Sequence, residues 1–197
     1  ASAAFFVVIF SGLLAWPLAR LLGFNIKTFV PPMMFSNSGN IGLPLALFVF
    51  CEQALLAEVM LFIVEHTLHF SVGMKMMNNK ISLLNIIKIP MVLAAILGLS
   101  YSLTGWQLPE MIGTSIKMLG QVAVPLMLFS LGVRLTAIDL QDWRIGAAGA
   151  IVCPATGILL VLLISPFLSL SELQYGQLLI FGALPPAVLN FMVAEKY

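Results

Sequence analysis

The sequence predicts an all-α membrane protein with an inverted-repeat transporter fold, present as a fragment of about seven transmembrane helices, two of which are broken. Three observations lead to this fold class: the composition, the length of the apolar runs, and two polar, proline-containing segments that resemble each other. Of 197 residues, 61% are hydrophobic and 9% are charged, whereas soluble domains carry about 25% charged residues. The chain therefore lacks the charge that a water-exposed surface requires.

The apolar residues form runs of about 20, the length at which an α-helix crosses roughly 30 Å of hydrocarbon. The connections are short, so we expect a single transmembrane transporter domain over residues 1–197. We expect it to be incomplete at both ends, because the chain begins in an apolar run and stops directly after one. The predicted spans are Ala3 to Leu22, Thr28 to Phe50, Leu55 to Met74, Leu84 to Thr104, Glu110 to Arg134, Arg144 to Phe167, and Gln174 to Lys196.

The basic residues fall on one side of the predicted membrane and acidic residues on the other. The basic side holds Arg20, Lys27, Lys75, Lys80, Lys88, Arg134, Arg144 and Lys196, and the acidic side holds Glu52, Glu58, Glu110 and Glu172. The positive-inside rule makes the basic side cytoplasmic, with Ala1 facing outward from the cell (inner or plasma) membrane. Lys117 lies about two turns inside span five, where it either snorkels to the interface or faces a cavity.

Two of the spans contain residues that interrupt a helix. Span two carries serines, asparagines and glycines before Pro44, and span seven carries Pro185 and Pro186 before Asn190. Proline lacks an N–H and frees the carbonyl four residues earlier. Freed backbone groups are tolerated at membrane depth only inside protein or beside water. Both spans are therefore predicted to be broken helices, although ordinary proline kinks are the simpler alternative.

The two interrupted segments resemble each other and run in opposite directions. Gly42 to Leu47 aligns with Ala183 to Val188 without a gap, which indicates an inverted-repeat transporter fold with five helices per repeat. Pro44 and Pro185 are predicted to begin the second half-helices. Their N-termini would point at the membrane centre and favour an anion. The predicted substrate-binding residues are Asn37, Ser38, Asn40, Pro44, Pro185 and Asn190.

Span three contains three ionisable residues near its centre, Glu65, His66 and His69. Such side chains are costly in a bilayer and usually face the protein interior, so they are candidates for proton coupling or substrate binding. The alternative is that they only bond neighbouring helices. An intramembrane zinc hydrolase would need His-Glu-x-x-His or an equivalent with a third ligand. The chain has no such arrangement, so no metal site is predicted.

At these motifs the chain resembles the auxin efflux carrier family, which includes bacterial permeases for small dicarboxylates. The resemblance lies in Asn37 to Pro44, Val124 to Gly132 and Leu184 to Tyr197. It implies ten helices in two inverted five-helix repeats, with the present spans as helices three to nine. It implies further that the two broken helices, four and nine in that plan, cross each other. It also implies that small organic anions bind near the crossing, with Asn40 and Asn190 as binding residues. Pro186-Ala187 departs from the plant pattern and favours a bacterial-type permease over an auxin carrier.

The function we predict is secondary transport of small organic anions, dicarboxylate- or auxin-like, by alternating access. We predict no enzyme activity, no cofactor and no nucleic-acid partner; the partners are the anion and the lipid bilayer, and a homodimer is left open. The coupling ion, proton or sodium, is also open. The alternatives are a sodium-coupled symporter of the bile-acid type and a membrane receptor or scaffold that transports nothing.

Overall fold

The computed structural model describes residues 2–77, 90–136 and 143–187, which fold into helices. The first turn of α3, Ser38–Gly42, is π-helical, and a second π-helical turn, His69–Gly73, joins α4 to α5. Short 3₁₀ turns precede α4 and follow α8. The helices are α1 (Ser2–Leu21), α2 (Ile26–Met34), α3 (Ser38–Phe50), α4 (Leu55–Leu68), α5 (Met74–Met77), α6 (Pro90–Thr104), α7 (Glu110–Leu135), α8 (Trp143–Ile164) and α9 (Glu172–Ala183).

The prediction of an all-α membrane fold is confirmed. Within the described ranges, four helical stretches are long and apolar enough to cross a membrane: Ser2–Leu21, Leu55–Met76, Glu110–Val133 and Trp143–Phe167. Spans two and seven are not among them because both are interrupted, as predicted. The fourth predicted span is described from Pro90 onward as α6, and its first residues, 84–89, lie outside the described part of the chain.

The core is built on one face of α1, whose buried residues recur every three or four positions. These residues are mostly small, and they pack against α2 and α8. A Cβ atom added at Gly12 would lie 2.6 Å from the Met34 sulfur, so the glycine allows α1 and α2 to approach closely. The buried face comprises Ala3, Ala4, Val7, Val8, Ser11, Gly12, Ala15 and Ala19.

α9 is held at its start and along its length by polar contacts and small residues. Ser171 caps it: the Ser171 hydroxyl accepts from the Gln174 N–H at 3.3 Å, and the Gln174 side chain accepts from the Ser171 N–H at 3.1 Å. The buried Gln177 amide donates to the Ala54 carbonyl at 2.7 Å. Gly157 of α8 lies directly against Gly182 of α9. These contacts position the break that follows α9.

α6 and α7 present mostly exposed apolar side chains, and no residue of the apolar window of α7 is buried. Lipid tails are as apolar as leucine, so an exposed apolar helix surface is expected in a membrane protein. α7 nevertheless contacts α3, chiefly at its π-helical first turn. Lys117 is exposed on α7, a position compatible with both alternatives.

Candidate functional site

The first break separates α2 from α3 at Phe35, Ser36 and Asn37, all of which are buried. α2 ends where Phe35 turns to extended backbone (φ −114°, ψ 108°), with its N–H still bonded to the Pro31 carbonyl. Asn37 is the N-cap residue of α3, and its carbonyl accepts from the N–H groups of Ile41 and Gly42. Three residues of non-helical backbone therefore lie inside the protein, between two helices of one predicted span.

The prediction that Pro44 begins the second half-helix is confirmed for its α-helical part, Leu43–Phe50, in which Pro44 occupies one of the first two positions. A π-helical turn extends the helix from there back to Ser38. The Gly42 N–H bonds to the Asn37 carbonyl and the Leu43 N–H to the Ser38 carbonyl, five residues back in each case. A widened turn of this kind accommodates the missing N–H of Pro44 without ending the helix. Pro44 is fully buried in the helix that it was expected to start.

The second break follows α9 and contains both prolines of span seven. Leu184 adopts extended backbone (φ −68°, ψ 145°), and Pro185 and Pro186 follow in non-helical conformation. The residue before a proline is pushed out of the α region, which explains why the helix ends here. Pro185 therefore lies within the break and does not begin a helix, contrary to the prediction. The continuation, including Asn190, lies outside the described residues.

The two breaks meet and pair through their backbones. Ser36 and Pro186 face each other in an antiparallel β-bridge. The Asn37 N–H donates to the Pro185 carbonyl at 2.8 Å, and the Ala187 N–H donates to the Phe35 carbonyl at 2.9 Å. The two bonds are reciprocal, so each break supplies the backbone partners that the other lacks. The predicted contact between the two interrupted spans is thus present as two backbone hydrogen bonds, while the continuation of span seven beyond Ala187 lies outside the described residues.

This bridge also shows which residues of the two breaks lie opposite each other. A local two-fold axis through it relates Ser36 to Pro186, an offset of 150 residues. The gap-free alignment of Gly42 to Leu47 with Ala183 to Val188 is nine positions away from that offset and stays a prediction. With the offset of 150, the counterpart of Asn40 is Asn190. The predicted proximity of these two asparagines falls outside the described residues on the Asn190 side.

The crossing can be tested by a cross-link. Opposed residues at such a bridge have Cα atoms about 4.5–5.5 Å apart, within the range of roughly 4.4–6.8 Å that a disulfide spans. We expect the double variant Ser36→Cys/Pro186→Cys to form a disulfide under mild oxidation, in a background with Cys51→Ser and Cys153→Ala. Intact-mass analysis with a thiol-reactive maleimide measures it. Each single-cysteine variant is the control, and two free thiols in the oxidised double variant would contradict the pairing.

The start of α3 is a buried helix N-terminus, and the side chain of its N-cap residue makes no hydrogen bond to the first N–H groups. Asn25 caps α2 and Ser171 caps α9 through their side chains, whereas Asn37 makes no side-chain cap to α3. Asn37 and Ser38 are 4% and 0% exposed, and Asn40 in the same turn is partly buried. The first N–H groups of a helix have no intrahelical partner and carry about half a positive charge. The arrangement can accept a carboxylate.

An acidic face of α4 lies beside this N-terminus. The Ser36 hydroxyl donates to Glu65 Oε1 at 3.2 Å, while Glu65 Oε2 has no hydrogen-bond partner within the described residues. The fully buried Ser38 hydroxyl lies near the same carboxyl group without closing a hydrogen bond to it. Glu65 is 1% exposed. The prediction that Glu65 faces the protein interior is confirmed.

Glu58 belongs to the same face, a position that its assignment to the acidic outer side of the membrane did not predict. It is 0% exposed, and neither of its carboxyl oxygens has a partner within the described residues. Its Oε1 atom lies 3.2 Å from the point where a Cβ of Gly42 would be, against the first turn of α3. A signal was available: Glu58 precedes Glu65 by seven residues, two helical turns, so both occupy one helix face.

The two histidines pack against aromatic rings. His69 is 2% exposed and stacks on Phe35 of the first break, with ring centroids 4.3 Å apart and planes 6° apart. His66 packs on Phe62 at 4.0 Å, and its Nδ1 lies 3.1 Å from the Phe62 carbonyl. The π-helical turn that begins at His69 brings Gly73 against Phe35, where a Cβ would lie 2.6 Å from the ring. The histidines thus help to hold the break in place.

With this geometry established, the comparisons with known proteins can be stated. The model of the membrane transport protein family matches residues 74–197. The chain belongs to this family. The family is of the auxin efflux carrier type, which confirms the resemblance noted from the motifs. No curated protein and no solved structure matches the chain. The match to the membrane transport protein family includes the second break, whereas the first break and the acidic face of α4 precede it.

Proposed function

We propose that this membrane transport protein carries small organic anions, dicarboxylate- or auxin-like, by alternating access, and that the anion binds where the two breaks meet. The observation that carries the proposal is the start of α3. It is a buried helix N-terminus to which the Asn37 side chain makes no capping hydrogen bond. Two reciprocal backbone hydrogen bonds hold it against the second break. A helix N-terminus in that position favours negative charge without a basic side chain.

The energies suit a carrier. A partly buried helix N-terminus stabilises an anion by up to about 2 kcal/mol, and each added hydrogen bond contributes about 0.5–1.5 kcal/mol. Asn37, Ser38, Asn40 and Asn190 are the side chains that we assign to those bonds, while Pro44 and Pro185 shape the two segments. Together these terms reach the range of millimolar to micromolar binding. An affinity of that size permits release, which transport requires.

Recognition by N–H groups also follows from where the basic residues lie. Every Lys and Arg side chain that the structure describes is exposed, so none stands inside the protein to bind the anion. These residues are Arg20, Lys27, Lys75, Lys117 and Arg144. We propose that their side of this multi-pass membrane protein faces the cytoplasm, in agreement with the positive-inside rule.

The test is transport by the full-length protein reconstituted into lipid vesicles. We expect saturable counterflow of labelled succinate or indole-3-acetate, while labelled choline, a cation, is not carried. Vesicles without protein and vesicles containing a variant with Ser36→Pro, which removes the backbone donor and hydroxyl of the first break, are the controls. Transport of choline but of neither anion would contradict the proposal. A membrane receptor or scaffold would carry none of the three.

A further inference from the structure

Two carboxyl groups lie inside the protein beside the start of α3. Glu58 and Glu65 share one face of α4 and are 0% and 1% exposed. Three of their four oxygens have no hydrogen-bond partner within the described residues, and the fourth accepts from the Ser36 hydroxyl. A buried polar group without a partner is costly, so this arrangement calls for a functional explanation.

Ser38 lies near both carboxyl groups. Its Cβ and Glu58 Oε1 lie 3.5 and 3.2 Å from the position of a Cβ added at Gly42. Its hydroxyl, fully buried and without a hydrogen-bond partner, is also near Glu65. Both carboxyl groups and two serine hydroxyls therefore lie at the helix N-terminus to which we assign the anion.

The charge of this pair needs neutralising. No Lys or Arg side chain of the described part is buried, and an isolated buried carboxylate neutralises itself rather than stay charged. The described residues hold no group of three or more His, Cys, Asp or Glu that could bind a metal ion. A proton on each carboxyl group removes the charge and also supplies the missing donors, because a protonated carboxyl group donates one O–H.

We propose that Glu58 and Glu65 carry protons that move with the organic anion, so that the transporter is a proton symporter. On one side of the membrane each carboxylate takes a proton from water and forms an O–H bond. On the other side each acid returns its proton to water and becomes a carboxylate again. When the two groups are ionised they repel the anion from the start of α3, and when they are protonated they do not. The movement of the protons is thereby coupled to the movement of the anion. Two protons balance the charge of a dicarboxylate. The inference rests on the proposed function.

Four other titratable groups are relevant here: three of them make contacts of their own, while the buried hydroxyl of Tyr101 has no hydrogen-bond partner within the described residues. On α4 itself, His69 stacks on Phe35 and His66 on Phe62. The Cys153 thiol of α8 donates to the Leu184 carbonyl at 3.6 Å. α6, which packs on α4, brings the buried hydroxyl of Tyr101. We therefore assign the transported protons to the two carboxyl groups, and the histidines to the packing of the break.

The test compares two assays of labelled succinate in vesicles that contain the full-length protein. Counterflow measures anion exchange without a gradient. Accumulation is driven by a pH difference of about one unit, acidic outside, which supports roughly tenfold accumulation for one proton and about a hundredfold for two. A pH-sensitive dye inside wild-type vesicles should report acidification when succinate enters, and this second readout does not depend on any variant.

Glutamine is the informative replacement, because it has the size of a protonated glutamate but cannot exchange a proton. We expect Glu58→Gln and Glu65→Gln each to keep counterflow. We expect the pH-driven accumulation of each variant to be at least about tenfold lower than that of wild type, because one transported proton contributes about tenfold. Glu172→Gln, at an exposed glutamate in the first turn of α9, is the matched control and should behave as wild type. Monodisperse elution and an unchanged unfolding temperature establish that the variants are folded.

Several outcomes overturn the inference. Wild-type counterflow without a pH response, or accumulation that follows a sodium gradient instead, overturns proton symport and leaves the proposed anion transport standing. Folded Gln variants that retain full accumulation, or that lose counterflow as well, show that the pair does not carry the protons. Absence of succinate and indole-3-acetate counterflow in the wild type overturns the proposed function, and this inference with it.

Discussion

Replacing Asn40 by Asp lowers organic-anion transport more than replacing it by Ala, with an expected difference of about 30-fold in apparent affinity. Asn40 lies partly buried in the first turn of α3. Alanine removes one hydrogen bond, worth about 0.5–1.5 kcal/mol. An ionised aspartate places its own negative charge at the helix N-terminus, so the substrate loses that stabilisation, worth up to about 2 kcal/mol. The aspartate also repels the substrate. The same order is expected at Asn190. The measurement is succinate counterflow at alkaline pH.

A matched control is available at another helix start. Asn25→Asp makes the same chemical change at the exposed N-cap of α2, where an aspartate caps equally well. It should leave transport unchanged. If the Asp variants at positions 40 and 190 transport as well as the Ala variants do, the crossing is not the anion site. The search would then move to Glu65, His66 and Lys117.

Gly157→Ala destabilises the protein by about 3 kcal/mol or more, at the upper end of overpacking effects. A Cβ at Gly157 would collide with the carbonyl oxygen of Gly182, and that atom belongs to backbone that cannot rotate away. α8 and α9 would have to separate, and this separation would displace the second break as well. A large fall in the thermal unfolding temperature in detergent is expected, accompanied by loss of succinate counterflow.

Gly146→Ala is the control for this prediction, because Gly146 lies in the same helix with nothing within 4 Å of an added Cβ. Alanine is favoured over glycine in a helix by up to about 1 kcal/mol, so this variant should unfold at the same temperature as wild type or higher. An unfolding temperature of Gly157→Ala equal to that of Gly146→Ala would show that α8 and α9 are not in such close contact.

The sequence was sufficient for the spans and for the existence of both breaks. The apolar runs set the helix lengths, and Pro185-Pro186 ends α9 as the stereochemistry of proline requires. The start of α3 was not predictable in the same way. Pro44 normally marks a helix start, but a π-helical turn carries the helix past it to Ser38. Such a turn depends on packing against α4 and α7, which is a tertiary effect.

The burial of Glu58 and the residue pairing of the two breaks were not predicted, for a related reason. A glutamate near the end of a predicted span is usually exposed, and only the structure shows that Glu58 turns inward against the first turn of α3. The gap-free alignment followed the shared Leu-Pro pairs at Leu43 and Leu184. The pairing of the two breaks follows backbone hydrogen bonds from Asn37 to Pro185 and from Ala187 to Phe35, which leave no trace in residue identity.

The most direct test of the account is the distance from a bound anion to the start of α3, measured by solid-state NMR. Gly39-Asn40 is the only Gly-Asn pair in these 197 residues, so labelling glycine carbonyl carbons with ¹³C and asparagine nitrogens with ¹⁵N selects the Asn40 amide. With carboxyl-labelled succinate bound to the full-length protein in lipid, a hydrogen bond to that turn predicts a carbon-to-nitrogen distance of about 4 Å. Bound succinate whose carboxyl carbons both lie beyond about 6 Å, too far for such a bond, would contradict binding at the crossing.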